Sequence, residues 1–308
     1  MRIAFLGTPD FALPSLRMLI QRGDELCVFT QPDRPKGRHG TLTPPPVKVL
    51  AEQHGIPVYQ FDKIRLPEGV EALTAFAPDL MVTAAFGQIL SQENLDIPKH
   101  GCINVHGSLL PQYRGAAPIQ WAVINGERVT GITTMLTDAG LDTGDILLQR
   151  EVEIYENETS GELFDRMADI GARVLLDTIA ALEGGTLKRM PQDSARATKC
   201  RMIKKDMAKI DFSLPHKQIH NFVRGMNPWP VAFFELDGEQ VKLYSTRLTQ
   251  YAGNGRIGEC VSTDPKEGVF VNTGDGLLEL LELQFPGAKR MDARTCAHGR
   301  SLAGRLLK

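Results

Sequence analysis

The sequence predicts a two-domain chain, in which an α/β domain is followed by a smaller all-β domain. Strand-like and helix-like segments alternate through the first half, whereas short strands with glycine-rich turns occupy the last third. A length of 308 residues also favours two domains. Residues 1–195 hold 17 basic and 25 acidic side chains, and residues 196–308 hold 18 and 12. The net charges of −8 and +6 add to the overall −2, and the basic second part suggests a polyanionic partner.

The first half contains apolar strand candidates that are separated by helix candidates. Strands are predicted for RIAFLG, ELCVFTQ, APDLMVTAAFG and GCINVHG, and helices for FALPSLRMLIQRG, VKVLAEQHG and PIQWAVING. This pattern favours a parallel or mostly parallel sheet, because strands covered by helices on both faces are apolar almost throughout. Two further strands are predicted for VTGITTMLT and GDILLQREVEI, and a long amphipathic helix for residues 161–185.

The turn Gly7-Thr8-Pro9-Asp10 follows the first strand but lacks the GxGxxG pattern of dinucleotide sites. We therefore expect a plain strand-to-helix turn that is capped by the side chain of Thr8 or Asp10.

A polar and basic stretch follows Gly185. It has little periodicity, which predicts a linker at residues 196–207 between a catalytic domain at 1–195 and a second domain at 208–308. One helix is predicted in LPHKQIHNFVRGM, and Asp237-Gly238 predicts a hairpin turn between two strands. More short strands follow, so the second domain is expected to be a small β-barrel.

Several protein classes are excluded by composition. No apolar run approaches the roughly 20 residues that span a bilayer, and the N-terminus is typical of a first strand rather than a signal peptide. Five widely spaced cysteines without a CxxC pair predict neither a disulfide framework nor a zinc site. His216 and His220 are four residues apart but lack the other ligands of familiar zinc motifs. We therefore expect a cytoplasmic protein without a metal and without membrane contact.

The stretch INVHGSLLPQYRG is the strongest functional signal in the sequence. Side chains i and i+2 of a strand share a face, so Asn104 and His106 project together at the carboxyl end of a strand. Ligands of open α/β sheets bind at that end. The alternative is a satisfied polar pair with a purely structural role.

A candidate partner acid lies in the segment TDAGLDTGDIL, which offers Asp138, Asp142 and Asp145. A carboxylate beside a histidine stabilises the imidazolium, and an asparagine amide can donate to a developing oxyanion. Together these groups suit acyl transfer to an amine. No GxSxG motif is present, so a covalent acyl-enzyme is not indicated.

The proline-rich segment QPDRPKGRHGTLTPPP is long for a connection inside a compact domain. Such loops are often lids or binding loops, although a plain solvent loop is the alternative. Arg34, Lys36 and Arg38 give this loop a positive tip, which favours a functional role.

Several motifs together carry a family resemblance, namely NVHGSLLPQYRGAAPIQ, GLDTGDIL, GTPDFA, QPDRPKGR and NPWP. With them the chain resembles, over essentially its whole length, the formyltransferase family that uses 10-formyltetrahydrofolate. The resemblance implies a Rossmann-like catalytic domain followed by a β-barrel of the OB type.

The resemblance also implies the site residues. The catalytic trio falls on Asn104, His106 and Asp142. The folate would be bound by two segments, which contribute Ser108, Leu109, Leu110 and Pro111, and Phe86, Gly87, Ile89 and Leu90. The basic residues expected to contact tRNA are Arg34, Lys36, Arg38, Lys204 and Lys205.

The implied reaction moves a formyl group from 10-formyltetrahydrofolate to the α-amino group of methionine on initiator methionyl-tRNA, for translation initiation. The amine would attack directly through a tetrahedral intermediate without a covalent enzyme intermediate, and the chain would act as a monomer. Asn104 and His106 would stabilise the oxyanion while Asp142 keeps His106 poised. Two alternatives stay open: a formyltransferase that acts on a nucleotide-linked amino sugar or a purine precursor, and a non-catalytic RNA-binding module.

Overall fold

The computed structural model describes residues 1–36, 40–253, 255–262, 268–299 and 302–308. These residues form two compact units. The first comprises residues 1–115, 129–153 and 164–200, and the second comprises residues 116–128, 154–163 and 201–308. The boundaries predicted from the sequence, at 195 and 207, stay a prediction. In the structure, the two short internal segments 116–128 and 154–163 belong to the same unit as the C-terminal part of the chain.

The first unit contains eleven strands among its described residues. They are β1 (Arg2–Gly7), β2 (Glu25–Thr30), β3 (Arg34–Lys36), β4 (Thr41–Thr43), β5 (Val58–Gln60), β6 (Leu80–Ala84), β7 (Cys102–His106), β8 (Arg114–Gly115), β9 (Val129–Leu136), β10 (Ile146–Glu153) and β11 (Lys199–Cys200). Seven of them form one sheet in the order β10-β9-β7-β6-β1-β2-β5. Strands β7, β6, β1, β2 and β5 are parallel to one another, and β9 is antiparallel to β7. The predicted mostly parallel sheet is therefore confirmed.

Helices α1 to α8 occupy, in chain order, Leu13–Arg22, Pro46–Gln53, Pro67–Phe76, Gln92–Asp96, Pro118–Ile124, Ser160–Glu183, His216–Gly225 and Ala293–Gly299. Short 3-10 helices lie at Asp10–Ala12, Ser194–Arg196 and Lys205–Ala208. In the described part of the chain, no helix combines the length and apolar character that a membrane crossing requires.

The central strands of the first sheet are buried on both faces. All five residues of β6 are buried, and so are the last five of β1. Because successive side chains of a strand point to opposite faces, this burial requires cover on both sides of the sheet. The continuous apolar character of RIAFLG and LMVTA follows from that position.

The turn after β1 differs from the prediction. The expected cap by Thr8 or Asp10 is wrong, because no side chain caps α1 or the 3-10 helix before it. The Thr8 hydroxyl instead donates to the carbonyl of Phe86, at 2.9 Å, and so ties the first turn to the segment after β6. Gly23 ends α1 in the left-handed conformation, as the closing glycine predicts.

The second unit contains an antiparallel sheet, which confirms the predicted all-β domain. Its strands are β12 (Phe233–Leu236), β13 (Glu239–Leu248), β14 (Cys260–Ser262), β15 (Val269–Asn272), β16 (Leu277–Gln284) and β17 (Met291–Asp292). The order is β12-β13-β16-β15-β14, with β17 beside β16. The turn at Asp237-Gly238 has positive φ at both residues, as the hairpin prediction requires. The predicted helix is α7.

Candidate active site

Asn104 and His106 lie on β7, at the carboxyl end of the parallel part of the sheet. The adjacent strand β6 ends at the same edge, and its Thr83 hydroxyl donates to Oδ1 of Asn104, at 2.9 Å. This contact orients the Asn104 amide and does not engage Nδ2, which can only donate. The partly exposed amide group is therefore a preset donor at a strand end.

His106 is buried, with 6% of its surface exposed. Its Nε2 lies 3.0 Å from the carbonyl oxygen of Tyr113. A carbonyl oxygen only accepts, so Nε2 carries a hydrogen. The other ring nitrogen, Nδ1, lies 3.8 Å from Oδ1 of Asp142. This distance exceeds a hydrogen bond but brings the carboxylate within strong electrostatic reach of a protonated ring.

Asp142 is the one of the three candidate acids that the structure places beside His106. Its backbone has φ of 52°, in the left-handed region that aspartate tolerates better than most residues. Its Oδ2 accepts the amide N–H of Gly115, at 2.8 Å. Asp138 is occupied elsewhere, because its carboxylate accepts the Thr143 hydroxyl.

Two residues that the sequence did not single out hold the Asp142 turn. The side-chain amide of Gln192 donates to the carbonyl oxygens of Asp142, at 2.9 Å, and of Gly144, at 2.7 Å. Arg114 in turn donates to Oε1 of Gln192 through Nε and Nη2. No local sequence pattern marks these contacts, since they join residues about 50 and 78 positions apart.

The predicted folate segment directly after β7 is a tight and partly buried turn. Ser108 is fully buried, and its hydroxyl donates to the carbonyl of Gln112, at 2.6 Å. Leu110 is buried with Met135 and Ile146, whereas Leu109 and Pro111 are half-buried. The peptide bond between Leu110 and Pro111 is cis.

The second predicted folate segment follows β6. The amide of Gln31 donates to the carbonyl oxygens of Phe86, at 3.3 Å, and Gly87, at 3.0 Å. The Phe86 side chain is buried and Leu90 is half-buried, whereas Ile89 exposes 72% of its surface. Ile89 follows a strand end, the edge at which open α/β sheets bind ligands.

The residues predicted to contact tRNA are described only in part. Arg38 lies outside the described residues, as does the side chain of Lys36. Arg34 is exposed on β3, which pairs with β4 in a short hairpin of the first unit. Lys204 and Lys205 are exposed and belong to the second unit.

Neither described histidine of the HxxxH spacing has a metal-ligand environment. His216 contacts the carboxylate of Asp275, at 2.7 Å, and His220 contacts the Thr246 hydroxyl, at 2.9 Å. Across the described ranges, no group of three or more His, Cys, Asp or Glu side chains is arranged to hold a metal ion.

Two family models match the chain, one over each part of the fold. A formyl transferase model matches residues 1–179, and a model of the formyl transferase C-terminal domain matches residues 202–301. The chain belongs to the formyl transferase family. Within it, the chain is similar to the methionyl-tRNA formyltransferase of Ruminiclostridium cellulolyticum, with 51% identity over 306 residues, 98% of this chain and 97% of the relative. The methionyl-tRNA formyltransferase of Clostridium perfringens (strain 13 / Type A) is 47% identical over 310 residues, the full length of both.

Solved structures share the fold at lower identity. The sugar 3N-formyl transferase WlaRD has a TM-score of 0.67 and 19% identity, with 94% of this chain and 99% of that chain covered. HypX from Aquifex aeolicus in complex with tetrahydrofolic acid has a TM-score of 0.64 and 18% identity, with 96% of this chain and 47% of HypX covered. This chain therefore spans about half the length of HypX.

Proposed function

We propose that this chain transfers the formyl group of 10-formyltetrahydrofolate to the α-amino group of methionine on initiator methionyl-tRNA. The observation that carries the proposal is the strand-end geometry: Asn104 and His106 share one face, and the Asp142 carboxylate lies 3.8 Å from Nδ1 of His106. Two relatives of about 50% identity over nearly the full chain are methionyl-tRNA formyltransferases, which supports this acceptor.

Each member of the trio has a separate role in the proposed reaction. The Asn104 amide, oriented by Thr83, donates to the formyl oxygen as negative charge develops on it. The Tyr113 carbonyl holds Nε2 of His106 as a donor. Nδ1 therefore accepts the proton that the attacking amine loses, and returns it to the departing folate nitrogen when the bond from that nitrogen to the formyl carbon breaks. Asp142 stabilises the resulting imidazolium. The attacking amine must be neutral, and free α-amino groups have pKa values of about 7.7–8.0, so little help is needed to deprotonate it.

The apolar residues at the same edge of the sheet fit the proposed folate. Leu109, Leu110 and Pro111 would form one wall after β7, and the exposed Ile89 would cover a ring from the segment after β6. The buried Ser108 contributes by closing the turn through its bond to the Gln112 carbonyl. No metal takes part in this proposal.

The tRNA is proposed to contact basic residues of both units. Arg34, Lys36 and Arg38 of the proline-rich loop and Lys204 and Lys205 would bind phosphates, which carry most of the affinity in such complexes. We expect Arg38→Ala to weaken tRNA binding and leave folate binding unchanged. The chain would act as a cytoplasmic monomer.

The decisive experiment is formyl transfer with charged initiator methionyl-tRNA, charged elongator methionyl-tRNA and a nucleotide-linked amino sugar as competing acceptors. Turnover with the initiator alone supports the proposal. Turnover with the amino sugar would favour the sugar branch of the family, which WlaRD represents. A chain that binds tRNA and formylates none of the acceptors would favour a non-catalytic RNA-binding module.

A further inference from the structure

The turn that carries Asp142 is fixed by one side chain from a distant part of the first unit. The Gln192 amide nitrogen donates both of its hydrogens to this turn, one to the carbonyl of Asp142 and one to the carbonyl of Gly144. Since Asp142 has φ of 52°, a conformation that aspartate adopts at some cost, these two bonds select it over ordinary extended alternatives.

Gln192 is itself held in one orientation. Its Oε1 accepts from Nε of Arg114, at 3.0 Å, and from Nη2, at 2.8 Å. A guanidinium only donates, so the oxygen of the Gln192 amide must face Arg114 and the nitrogen must face the Asp142 turn. Arg114 is buried, with 5% of its surface exposed, so this arrangement has little freedom.

The chain that follows Gln192 also holds the backbone groups that contact His106 and Asp142. Strand β8 (Arg114–Gly115) pairs in parallel with β11 (Lys199–Cys200). The Thr198 hydroxyl accepts the amide N–H of Tyr113, at 2.8 Å, just before β8. The carbonyl of Tyr113 and the amide of Gly115 are the groups that hold His106 and Asp142. We name residues 192–200, which contact the Asp142 turn and strand β8, the brace.

Glycine is required at position 115. Its φ is 123°, and a Cβ there would collide with the backbone oxygen of Cys200. The close approach of the brace to β8 therefore depends on a residue without a side chain, and it places the Gly115 amide 2.8 Å from Oδ2 of Asp142.

We propose that Gln192 is a positioning residue for the reaction, which acts by holding the Asp142 carboxylate against His106. This inference rests on the proposed function, because it assigns Gln192 a role in the same transfer. It also gives the brace a role in catalysis, beyond that of a connection between domains. Displacing a catalytic group by about 1 Å can cost roughly 10²-fold in rate, which sets the expected size of the effect.

Gln192→Glu tests the proposal with almost no change of shape. The glutamate keeps an oxygen acceptor for Arg114, but it has no N–H for the carbonyls of Asp142 and Gly144. We expect kcat to fall about 10²-fold with KM for both substrates changed less than about threefold, because the binding walls lie elsewhere. Gln192→Asn keeps the amide on a side chain that is shorter by one methylene, and its loss of kcat should be smaller than that of Q192E.

Gln284→Glu is the matched control. Gln284 also bridges a carbonyl and a side-chain donor, since it donates to Ala288, at 3.0 Å, and accepts the Tyr244 hydroxyl, at 2.6 Å. It lies in the second unit and should keep wild-type kcat. Equal losses of kcat in Q192E and Q284E would show general destabilisation and would overturn the proposal.

A double-mutant cycle separates positioning from a merely structural role. In a chain that already carries Asp142→Asn, adding Q192E should lower kcat little further, because the carboxylate that Gln192 positions is already absent. Losses that multiply in the double variant would contradict the proposal, since Gln192 would then act independently of Asp142.

A substrate-free measurement keeps this test distinct from the test of the reaction. The ¹⁵N resonances of the His106 ring should change in Q192E and Q192N and match wild type in Q284E, because the carboxylate beside Nδ1 moves only in the first two. Failure of the wild-type chain to formylate any acceptor would refute the proposed function alone. Unchanged His106 resonances in Q192E would refute the positioning role, whatever the acceptor.

Discussion

Two buried histidines, one in each unit, differ in the group that lies beside Nδ1. His106 is 6% exposed and His220 is 4% exposed. In both, a backbone carbonyl faces Nε2, that of Tyr113 for His106 and that of Glu156 for His220. They differ at Nδ1, which lies 2.9 Å from the Thr246 hydroxyl in His220 but 3.8 Å from a carboxylate in His106.

This difference decides which hydrogen bonds Nδ1 of each neutral ring can make. The Thr246 hydroxyl can donate to Nδ1, so the neutral form of His220 has both nitrogens satisfied. A carboxylate has no hydrogen to donate, so Asp142 offers no hydrogen bond to the unprotonated Nδ1 of His106. Burial lowers the pKa of His220, and the nearby Arg224 acts in the same direction, although the Glu156 carbonyl opposes it.

The comparison also shows why a cavity alone does not define a site. His220 and Arg224 line a cavity of about 260 Å³ in the second unit. The groups that face His220 there favour its neutral, structural form. His106 lies at a strand end with an oriented amide and a carboxylate beside it, and that combination is what acyl transfer requires.

Replacing His106 or Asn104 by alanine should have the largest effect on turnover. Removing the preset Asn104 donor to the developing oxyanion should cost about 10²–10³ in kcat. Removing His106 takes away the group that accepts and returns the proton, which should cost about 10²–10⁴. Formyl transfer at saturating folate and tRNA measures it, with circular dichroism as the check on folding. Near-normal turnover in a folded His106→Ala or Asn104→Ala variant would show that the replaced residue is not catalytic.

His220→Ala should lower the stability of the fold and leave turnover unchanged. It removes a buried ring and leaves the Thr246 hydroxyl and the Glu156 carbonyl without their partner, which should lower the free energy of unfolding by about 1–3 kcal/mol. Urea unfolding at pH 7.5 measures the loss. Turnover at a temperature where the variant is folded should match wild type, and a 10²-fold fall in kcat there would show that His220 belongs to the reaction.

The sequence predicts one half of the candidate site better than the other. The two-residue period of a strand places Asn104 and His106 on one face, and near-continuous apolar strands predict the parallel sheet. The distance from His106 to Asp142 depends instead on a turn with positive φ and on an amide supplied by Gln192 from 50 residues further along. Such contacts follow from tertiary packing and have no local period.

Short elements were missed for a related reason. Strand β11 has two residues, and the stretch around it is polar and aperiodic, which favours an interpretation as linker. It pairs with β8 and buries Cys200, and neither contact leaves a period in a strand of two residues. Thr8 is a similar case, because a threonine near a helix start predicts a cap, whereas its hydroxyl bonds to a carbonyl 78 residues away.

The pH dependence of stability should report the surroundings of His220. Because burial lowers the pKa of folded His220 below its usual 6.5, the unfolded chain binds a proton there that the folded chain does not. Its contribution to stability is complete above about pH 6.5 and falls below it, by at most about 1.4 kcal/mol per pH unit. Urea unfolding between pH 5 and 7.5 should therefore be less pH-dependent in His220→Ala than in wild type. Equal slopes would mean that His220 takes up its proton in the folded state.

The smallest expected effect concerns the exposed lysines of the second unit. If Lys204 and Lys205 each bind one phosphate, each alanine substitution should lower the slope of log affinity against log salt by roughly 0.7–0.9. Filter binding of initiator tRNA between 50 and 200 mM salt, roughly the range over which such contacts weaken strongly, measures the slope. Lys63→Ala, an exposed lysine of the first unit outside the proposed contacts, is the control and should keep the wild-type slope. A slope unchanged in Lys204→Ala and Lys205→Ala would move the phosphate contacts to other residues, while a wild-type affinity independent of salt would exclude phosphate contacts as the main source of binding.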